Sequence, residues 1–76
     1  MPHVISVRPE GVAWIVEGAP TSEQLKFPSG GAAEVAAKAI AERLTEEGRP
    51  AEIRIHLKDG RLGAKFYCPT RELEWA

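Results

Sequence analysis

The stretch "SGGAAEVAAKAIAERLTEEG", residues 29–48, decides the fold of this chain. Alanine and glutamate dominate it, and these residues favour helix. Ser29 suits the N-cap position, where its hydroxyl can accept from a free backbone N–H. Gly48 suits the left-handed residue that follows a helix, and Pro50 prevents the helix from resuming. The stretch therefore predicts one helix bounded by these residues.

The predicted helix has a charged side and an apolar side. Charges recur every four residues, which is the spacing of a solvent-facing stripe. This stripe consists of Glu34, Lys38, Glu42 and Glu46. The opposite side should pack on a sheet. It consists of Val35, Ala36, Ala39, Ile40 and Leu44.

Three short segments with strand character precede the helix. "HVISVR" (3–8) and "VAWIVE" (12–17) are rich in β-branched residues and predict a hairpin around a three-residue loop, "PEG". "EQLKF" (23–27) alternates polar and apolar residues and predicts a third strand. With a three-residue loop, both faces of the hairpin are partly apolar. Either a bulge shifts the register, or the tail or another chain covers the second face. We place Trp14 in the core.

Two further strands are predicted after the helix. "AEIRIHLK" (51–58) and "RLGAKFYC" (61–68) flank Asp59-Gly60, the preferred centre of a two-residue type I′ turn. The element order β-β-β-α-β-β predicts an α+β fold, an antiparallel sheet of about five strands with one helix on one face. Residues 1–69 form this single domain, and residues 70–76 form a short C-terminal tail.

The two-residue turn fixes the faces of the second hairpin. It sets Lys58 opposite Arg61 and Arg54 opposite Lys65. The predicted core side holds Ile53, Ile55, Leu57, Leu62, Ala64 and Phe66. The predicted outer side holds a set that we call the basic face: Arg54, His56, Lys58, Arg61, Lys65 and Tyr67. This face is a candidate contact for nucleic acid or another anion. The alternative is a solvated sheet face whose cations discourage edge-to-edge association.

Composition and spacing exclude several classes of protein. The chain has 76 residues, which fits one domain, and its net charge of −1 does not favour a strongly basic nucleic-acid binder. Its single cysteine, Cys68, cannot form an intrachain disulfide. His3, His56 and Cys68 lack metal-ligand spacing, so we predict neither a metal nor a cofactor. The sequence contains no apolar run long enough to span a membrane, and we expect a cytoplasmic location.

Three segments resemble a family of small bacterial domains of unknown function. They are "VRPEGVAWIVE" (7–17), "AAEVAAKAIAERL" (32–44) and "IRIHLKDGRL" (53–62), and together they span nearly the whole chain. The resemblance implies the same sheet-plus-helix fold and brings no established activity or catalytic residue. This chain departs from the family pattern at Ala13, where a glycine is common, and in its "EWA" tail.

No combination of nucleophile, base and orienting group is present, so we expect that the chain is not an enzyme. The leading hypothesis is a small interaction module, with a homodimer as one form, that uses an apolar second face or Leu73 and Trp75 of the tail. A free sheet edge in such a fold is also a docking site. The alternative is nucleic-acid binding through the basic face.

Overall fold

The computed structural model of the chain describes residues 2–18 and 24–69. Its elements are β1 (His3–Glu10), β2 (Ala13–Glu17), β3 (Leu25–Phe27), α1 (Gly30–Glu46), β4 (Ala51–His56) and β5 (Leu62–Cys68). The predicted element order and the α+β class are confirmed. Leu73 and Trp75, the tail residues expected at an interface, lie outside the described residues.

The five strands form one sheet in the order β3-β2-β1-β4-β5. The neighbours are antiparallel except for β1 and β4, which run parallel with Ile5 beside Ile53. The wholly antiparallel sheet that we predicted is therefore wrong in this central pair. The physical reason is that α1 carries the chain back across the sheet, and such a crossover joins parallel strands.

Both ends of α1 are capped as predicted. Ser29 is extended, with φ −147°, and its hydroxyl accepts from the Ala32 N–H at 3.1 Å. At the other end, Gly48 has φ 81° and the Arg49 N–H donates to the Leu44 carbonyl at 2.8 Å. This is the Schellman arrangement, in which a left-handed residue lets the chain turn back on the last helical carbonyls.

The buried side of α1 differs from the predicted one. It consists of Ala33, Ala37, Ala41, Leu44 and Thr45. Val35 is 69% exposed and Ala39 is exposed, so their predicted place against the sheet is wrong. Alanines occur on every side of this helix, and the row of three at four-residue spacing gives the closest approach to the sheet. The charged stripe is confirmed in part by the Glu34–Lys38 ion pair at 3.1 Å.

The first hairpin has a two-residue loop, Gly11 and Val12, instead of the predicted three. Gly11 has φ 62°, as a type II′ turn requires at its first central residue. The shorter loop sets Val7 opposite Val16 and turns both toward α1. It also puts Trp14 on this side, half-buried against the core, as predicted.

Gly30 opens the helix against the Trp14 ring. A Cβ at this position would lie 3.1 Å from two carbons of the indole. The absence of a side chain therefore lets α1 start directly beside the ring. The fully buried apolar side chains of the sheet that pack with the helix are Ile5, Val7, Val16, Ala51 and Ile53.

The loop of the second hairpin has three residues, Lys58 to Gly60. The Leu57 N–H donates to the Arg61 carbonyl at 2.8 Å, and the Gly60 N–H donates to the Leu57 carbonyl at 3.0 Å. Gly60 has φ 88°, but Asp59 does not have a positive φ. The predicted type I′ turn, which needs both, is therefore wrong. The Asp59 carboxylate instead accepts from the Arg61 N–H at 3.0 Å.

A bulge in β5 restores the predicted register beyond the loop. His56 pairs with Leu62 and Ile55 with Ala64, which leaves Gly63 without an opposite residue. The pairs farther out confirm the prediction, including Arg54 with Lys65. The pairs next to the turn do not. Leu62 lies opposite His56 on the outer face and not in the core.

Leu57 also lies outside the predicted core and is 45% exposed. It packs over Gly63, where an added Cβ would be 2.8 Å from the Leu57 Cδ2 atom. The bulge at a glycine thus makes room for a leucine that the hairpin leaves near the surface.

Candidate interaction edge at strand β5

The two edges of the sheet differ in length and in sequence. β3 has three residues, carries the exposed Lys26 and is followed by Pro28. Short strands, lysine and proline all hinder pairing with another strand. β5 has seven residues and pairs with β4 alone among the strands that the structure describes. Its second side therefore presents backbone donors and acceptors that no described strand uses.

The side chains of β5 make this edge apolar on the helix side. Ala64, Phe66 and Cys68 share that side with Ile53 of β4, and Phe66 is 44% exposed. Lys65 and Tyr67 point to the outer face, where Tyr67 is 60% exposed. A large aromatic half-open to solvent beside a free strand edge is a feature of binding surfaces more than of cores.

A groove of about 560 Å³ lies between α1 and β5. Its lining is mainly apolar and comes from both elements. The residues that define it are Ala41 and Thr45 of α1, Ile53 of β4, and Phe66 and Cys68 of β5, with Pro69 at one end. The groove exists because α1 packs over the inner strands and leaves the last strand partly uncovered.

Lys38 and Glu42 of α1 bring charge to this groove. The Lys38 Nζ atom lies 5.9 Å from the centre of the Phe66 ring and 3.1 Å from the Glu34 carboxylate. This position is within reach of a cation–π contact, so the lysine partly covers the ring. The groove is therefore an apolar channel with one cation and one carboxylate beside it.

The basic face is less basic than its sequence indicates. The Arg54 guanidinium donates to the Glu52 carboxylate on the same strand, and Glu52 is only 9% exposed. The Arg61 Nε atom donates to Asp59 at 2.7 Å. Two of the four predicted cations thus have acidic partners. The Glu52 contact could have been predicted, because residues two apart on a strand share a face.

The remaining members of the basic face are dispersed over the hairpin. Lys58 in the loop and Lys65 on β5 are exposed, and no acidic group among the described residues pairs with them. His56 is half-buried at the end of β4, opposite Leu62. Tyr67 lies opposite Glu52. The face therefore combines cations, a phenol and a leucine, and no single cationic cluster forms.

A second charged group on the outer face was missed at the sequence level. The Arg8 Nε atom donates to Glu17 at 2.6 Å, and its Nη1 atom donates to Glu10 at 2.9 Å. Hydrogen bonding from Arg8, with a further bond from Gln24, lowers the pKa of Glu17. The same carboxylates raise the pKa of Arg8. The correct two-residue loop would have predicted this cluster, since it sets these three side chains on one face.

A depression of about 310 Å³ lies between this cluster and the second hairpin. Ser6, Arg8 and Glu17 line it from the first hairpin, and His56 and Lys58 from the second. Since Arg8 is already bonded by two carboxylates, the depression presents mixed charge and is a poor anion site. Ile15 lies opposite Arg8 on the same face and is fully buried.

The described part of the chain contains neither a metal-binding cluster nor a membrane-spanning helix. Residues 2–18 and 24–69 contain no group of three or more His, Cys, Asp or Glu side chains arranged to hold a metal ion. His3 contacts the Gly18 carbonyl through its Nε2 atom, and Cys68 is half-buried against the core. Within the same ranges, no helix has both the length and the apolar character needed to cross a membrane.

Over the described residues, the chain is a small α+β domain with one helix on a mixed five-stranded sheet whose longer edge strand is β5. The chain belongs to DUF2188, a family described as an uncharacterised protein conserved in bacteria, whose profile matches residues 3–65. This confirms the predicted resemblance to a bacterial family of unknown function. No curated protein and no solved structure shows significant similarity to the chain.

Proposed function

We propose that this domain is a non-enzymatic interaction module that binds an extended polypeptide segment along β5. The observation that carries the proposal is a seven-residue edge strand, unpaired on its second side by any described strand, beside an apolar groove. In strand addition, main-chain hydrogen bonds supply affinity and alternate side chains of the ligand supply specificity. In this domain the second side of β5 would supply the main-chain hydrogen bonds, and the groove would receive the side chains of the ligand.

The groove sets the chemistry of the expected ligand. Alternate side chains of an added strand point to one face of the sheet, so every second residue of the ligand would point toward α1. There it would meet Phe66 and Cys68, which favours apolar or aromatic residues. Lys38 and Glu42 would favour flanking residues of opposite charge.

Nucleic-acid binding is less well supported than strand addition. Arg54 and Arg61 donate through Nε to Glu52 and Asp59, and each carboxylate offsets the charge that its arginine presents to a phosphate. Of the four cations of the basic face, Lys58 and Lys65 are the two without an acidic partner among the described residues. Affinity for the nucleic-acid backbone depends on the number of phosphates that the protein neutralises, and two lysines neutralise few of them.

The proposal is tested by selection of peptides that bind the edge. A display library of ten-residue peptides is selected against the domain and counter-selected against Phe66→Glu. Selected peptides should alternate apolar residues and should perturb the β5 amide resonances of the 15N-labelled domain. Each selected peptide is then N-methylated either at its odd-numbered or at its even-numbered residues. Only one of these two sets of N–H groups faces β5, so methylation of that set should abolish binding and methylation of the other should not.

Val12→Glu is the matched control for this experiment. Val12 is 97% exposed at the tip of the first hairpin, so the same charge change there should leave peptide binding intact. A selection that yields no peptide distinguishing Phe66→Glu from Val12→Glu would refute the proposal. Peptides that bind but shift resonances of β3, or of Arg54, His56 and Lys58, without shifting those of β5 would refute it equally.

A further inference from the structure

We infer that the segment that binds β5 is the β5 strand of a second copy of this chain. This inference rests on the proposed function and names its partner. Two copies would pair antiparallel about a two-fold axis at Phe66, and their five-stranded sheets would join into one sheet.

The part of β5 that is open to pairing is short and defined at both ends. The bulge at Gly63 interrupts regular pairing on one side, and Pro69, which lacks an N–H, follows on the other. The regular stretch between them is 64–68. Its centre is Phe66, so self-pairing about this residue uses the whole stretch and extends into neither interruption.

The residues that this register brings together are compatible. Phe66 lies opposite Phe66 of the partner subunit, which gives an aromatic pair at the centre. Lys65 lies opposite Tyr67 of the partner subunit, twice by symmetry, and a lysine beside a tyrosine ring is favourable. On the helix side, Ala64 lies opposite Cys68 of the partner subunit, and both side chains are small and uncharged.

Neighbouring registers are worse for identifiable reasons. An axis at Lys65 sets two lysines directly opposite each other, and like charges in that position are destabilising. An axis at Ala64 brings Gly63 of the bulge into the pairing. An axis at Tyr67 sets Pro69 opposite Lys65, where the proline cannot donate. Phe66 is thus the axis that the sequence of β5 favours.

The groove gives this pairing an apolar layer as well as a ladder of hydrogen bonds. A two-fold axis perpendicular to the sheet keeps both α1 helices on the same face, so the two grooves meet at the axis. Each measures about 560 Å³, and the pair of Phe66 rings would lie between them. Five paired residues make a small interface, so we expect a dissociation constant of roughly 1–100 μM.

The inference predicts a concentration-dependent dimer in sedimentation velocity between 2 μM and 1 mM. Phe66→Glu should weaken the dimer by about three- to seventyfold, because it removes the aromatic pair and sets two carboxylates at the axis. Val12→Glu carries the same charge change and should dimerise like the wild type. Circular dichroism identifies any variant that fails to fold.

A second pair of variants tests the register without touching the core. Tyr67 is 60% exposed, so substitutions there are tolerated by the fold. Tyr67→Glu sets a carboxylate opposite Lys65 of the partner subunit and should give a dimer at least about threefold tighter than that of Tyr67→Lys. Tyr67→Lys sets like charges opposite and should weaken it. Glu52 lies opposite Tyr67 within the chain. A glutamate at position 67 should therefore destabilise the fold and a lysine should stabilise it, which is the opposite of their effects on the dimer.

The outcomes separate this inference from the proposed function. A wild-type chain that stays monomeric to 1 mM while selected peptides bind β5 would overturn the inference alone. A monomer that also binds no peptide would overturn both. A dimer unaffected by Phe66→Glu would show that another surface is responsible. A dimer that is lost when residues 70–76 are removed, but is insensitive to the two Tyr67 variants, would show that the tail is responsible.

Discussion

At the residue scale, the two glycines that open α1 have different environments. A Cβ at Gly30 would lie 3.1 Å from the Trp14 ring, whereas a Cβ at Gly31 would meet nothing within 4 Å. Both residues are helical and have no positive φ. An alanine at either position removes a similar amount of backbone entropy from the unfolded chain. The difference in stability between the two alanine variants therefore measures the contact between the new Cβ and the Trp14 ring.

We predict that Gly31→Ala stabilises the domain by about 0.5–1 kcal/mol, because alanine is the better helix former. Gly30→Ala should lose most of this gain or become destabilising, since the Trp14 ring must move by a few tenths of an ångström within a packed core. Urea unfolding of the two variants measures the difference. Equal stabilisation by both would show that the Trp14 ring does not restrict the start of α1.

Glu17 makes stability depend on pH through Arg8. The hydrogen bond from Arg8 lowers the pKa of Glu17 in the folded protein. The folded state then binds fewer protons than the unfolded state, so the contribution is present at neutral pH and is lost as pH falls through the folded pKa. The Glu17 side chain is 37% exposed, and an exposed pair of this kind contributes about 0.2–1 kcal/mol.

Glu17→Gln should therefore destabilise the domain at pH 7 and should have a smaller effect near pH 2, because protonation of the carboxylate weakens its interaction with Arg8. Urea unfolding at both pH values measures this change. Glu47→Gln is the control, because Glu47 is exposed at the C-cap of α1, where loss of a negative charge should be neutral or slightly stabilising. A penalty at Glu17 that persists unchanged at low pH would indicate packing instead of charge.

At the scale of elements, the sequence predicts where structure begins and ends better than which side faces the core. The limits of α1 follow from Ser29 and Gly48, whose requirements are local. Its buried side does not, because alanines surround the helix and contact with the sheet selects among them. Val35 shows the result, since a β-branched apolar residue lies at the surface while Ala37 is buried.

Turn length is the second feature that local sequence left undetermined. Asp59-Gly60 fits a two-residue turn, but Gly60 alone fits the longer loop that the chain adopts, with a single positive φ. The bulge at Gly63 cancels the extra residue, so the Arg54–Lys65 pair was predicted correctly from a wrong turn. Leu62 lies between the loop and the bulge, and the prediction failed there.

The candidate site itself required the order of the strands. The basic face follows from one hairpin, and pairing two strands is enough to predict it. The open edge depends on β4 lying beside β1, which leaves β5 outermost. This is a non-local pairing across the helix, and no pattern within either strand encodes it. The groove beside Phe66 has the same origin.

At the scale of the whole molecule, charge and apolar surface lie in different places. The outer face of the sheet contains ion pairs around Arg8 and Arg54, so its charges largely cancel. The large exposed apolar side chains of the second hairpin gather around β5, among them Phe66 and Tyr67. At least five of the eight acidic side chains in the described residues form ion pairs: Glu10, Glu17, Glu34, Glu52 and Asp59. Such a surface favours association through the edge strand over attraction of a polyanion.

This distribution makes a quantitative prediction for nucleic acid. If a single-stranded oligonucleotide binds at low salt, Lys58 and Lys65 supply the contacts, so the logarithm of the affinity should fall with the logarithm of salt concentration with a slope no steeper than about −1.4. Use of Arg54 and Arg61 as well would give about −2.8, because four phosphates would be neutralised.

Fluorescence anisotropy between 10 and 200 mM salt measures this slope. Lys58→Gln with Lys65→Gln should abolish any binding that follows the shallower slope. Arg49→Gln is the control, since Arg49 is exposed after α1 and lies off the basic face. A slope near −2.8 that Arg54→Gln makes shallower would show that phosphate competes successfully with Glu52 for Arg54. In that case the outer face, and not the β5 edge, would be the main binding surface of the domain.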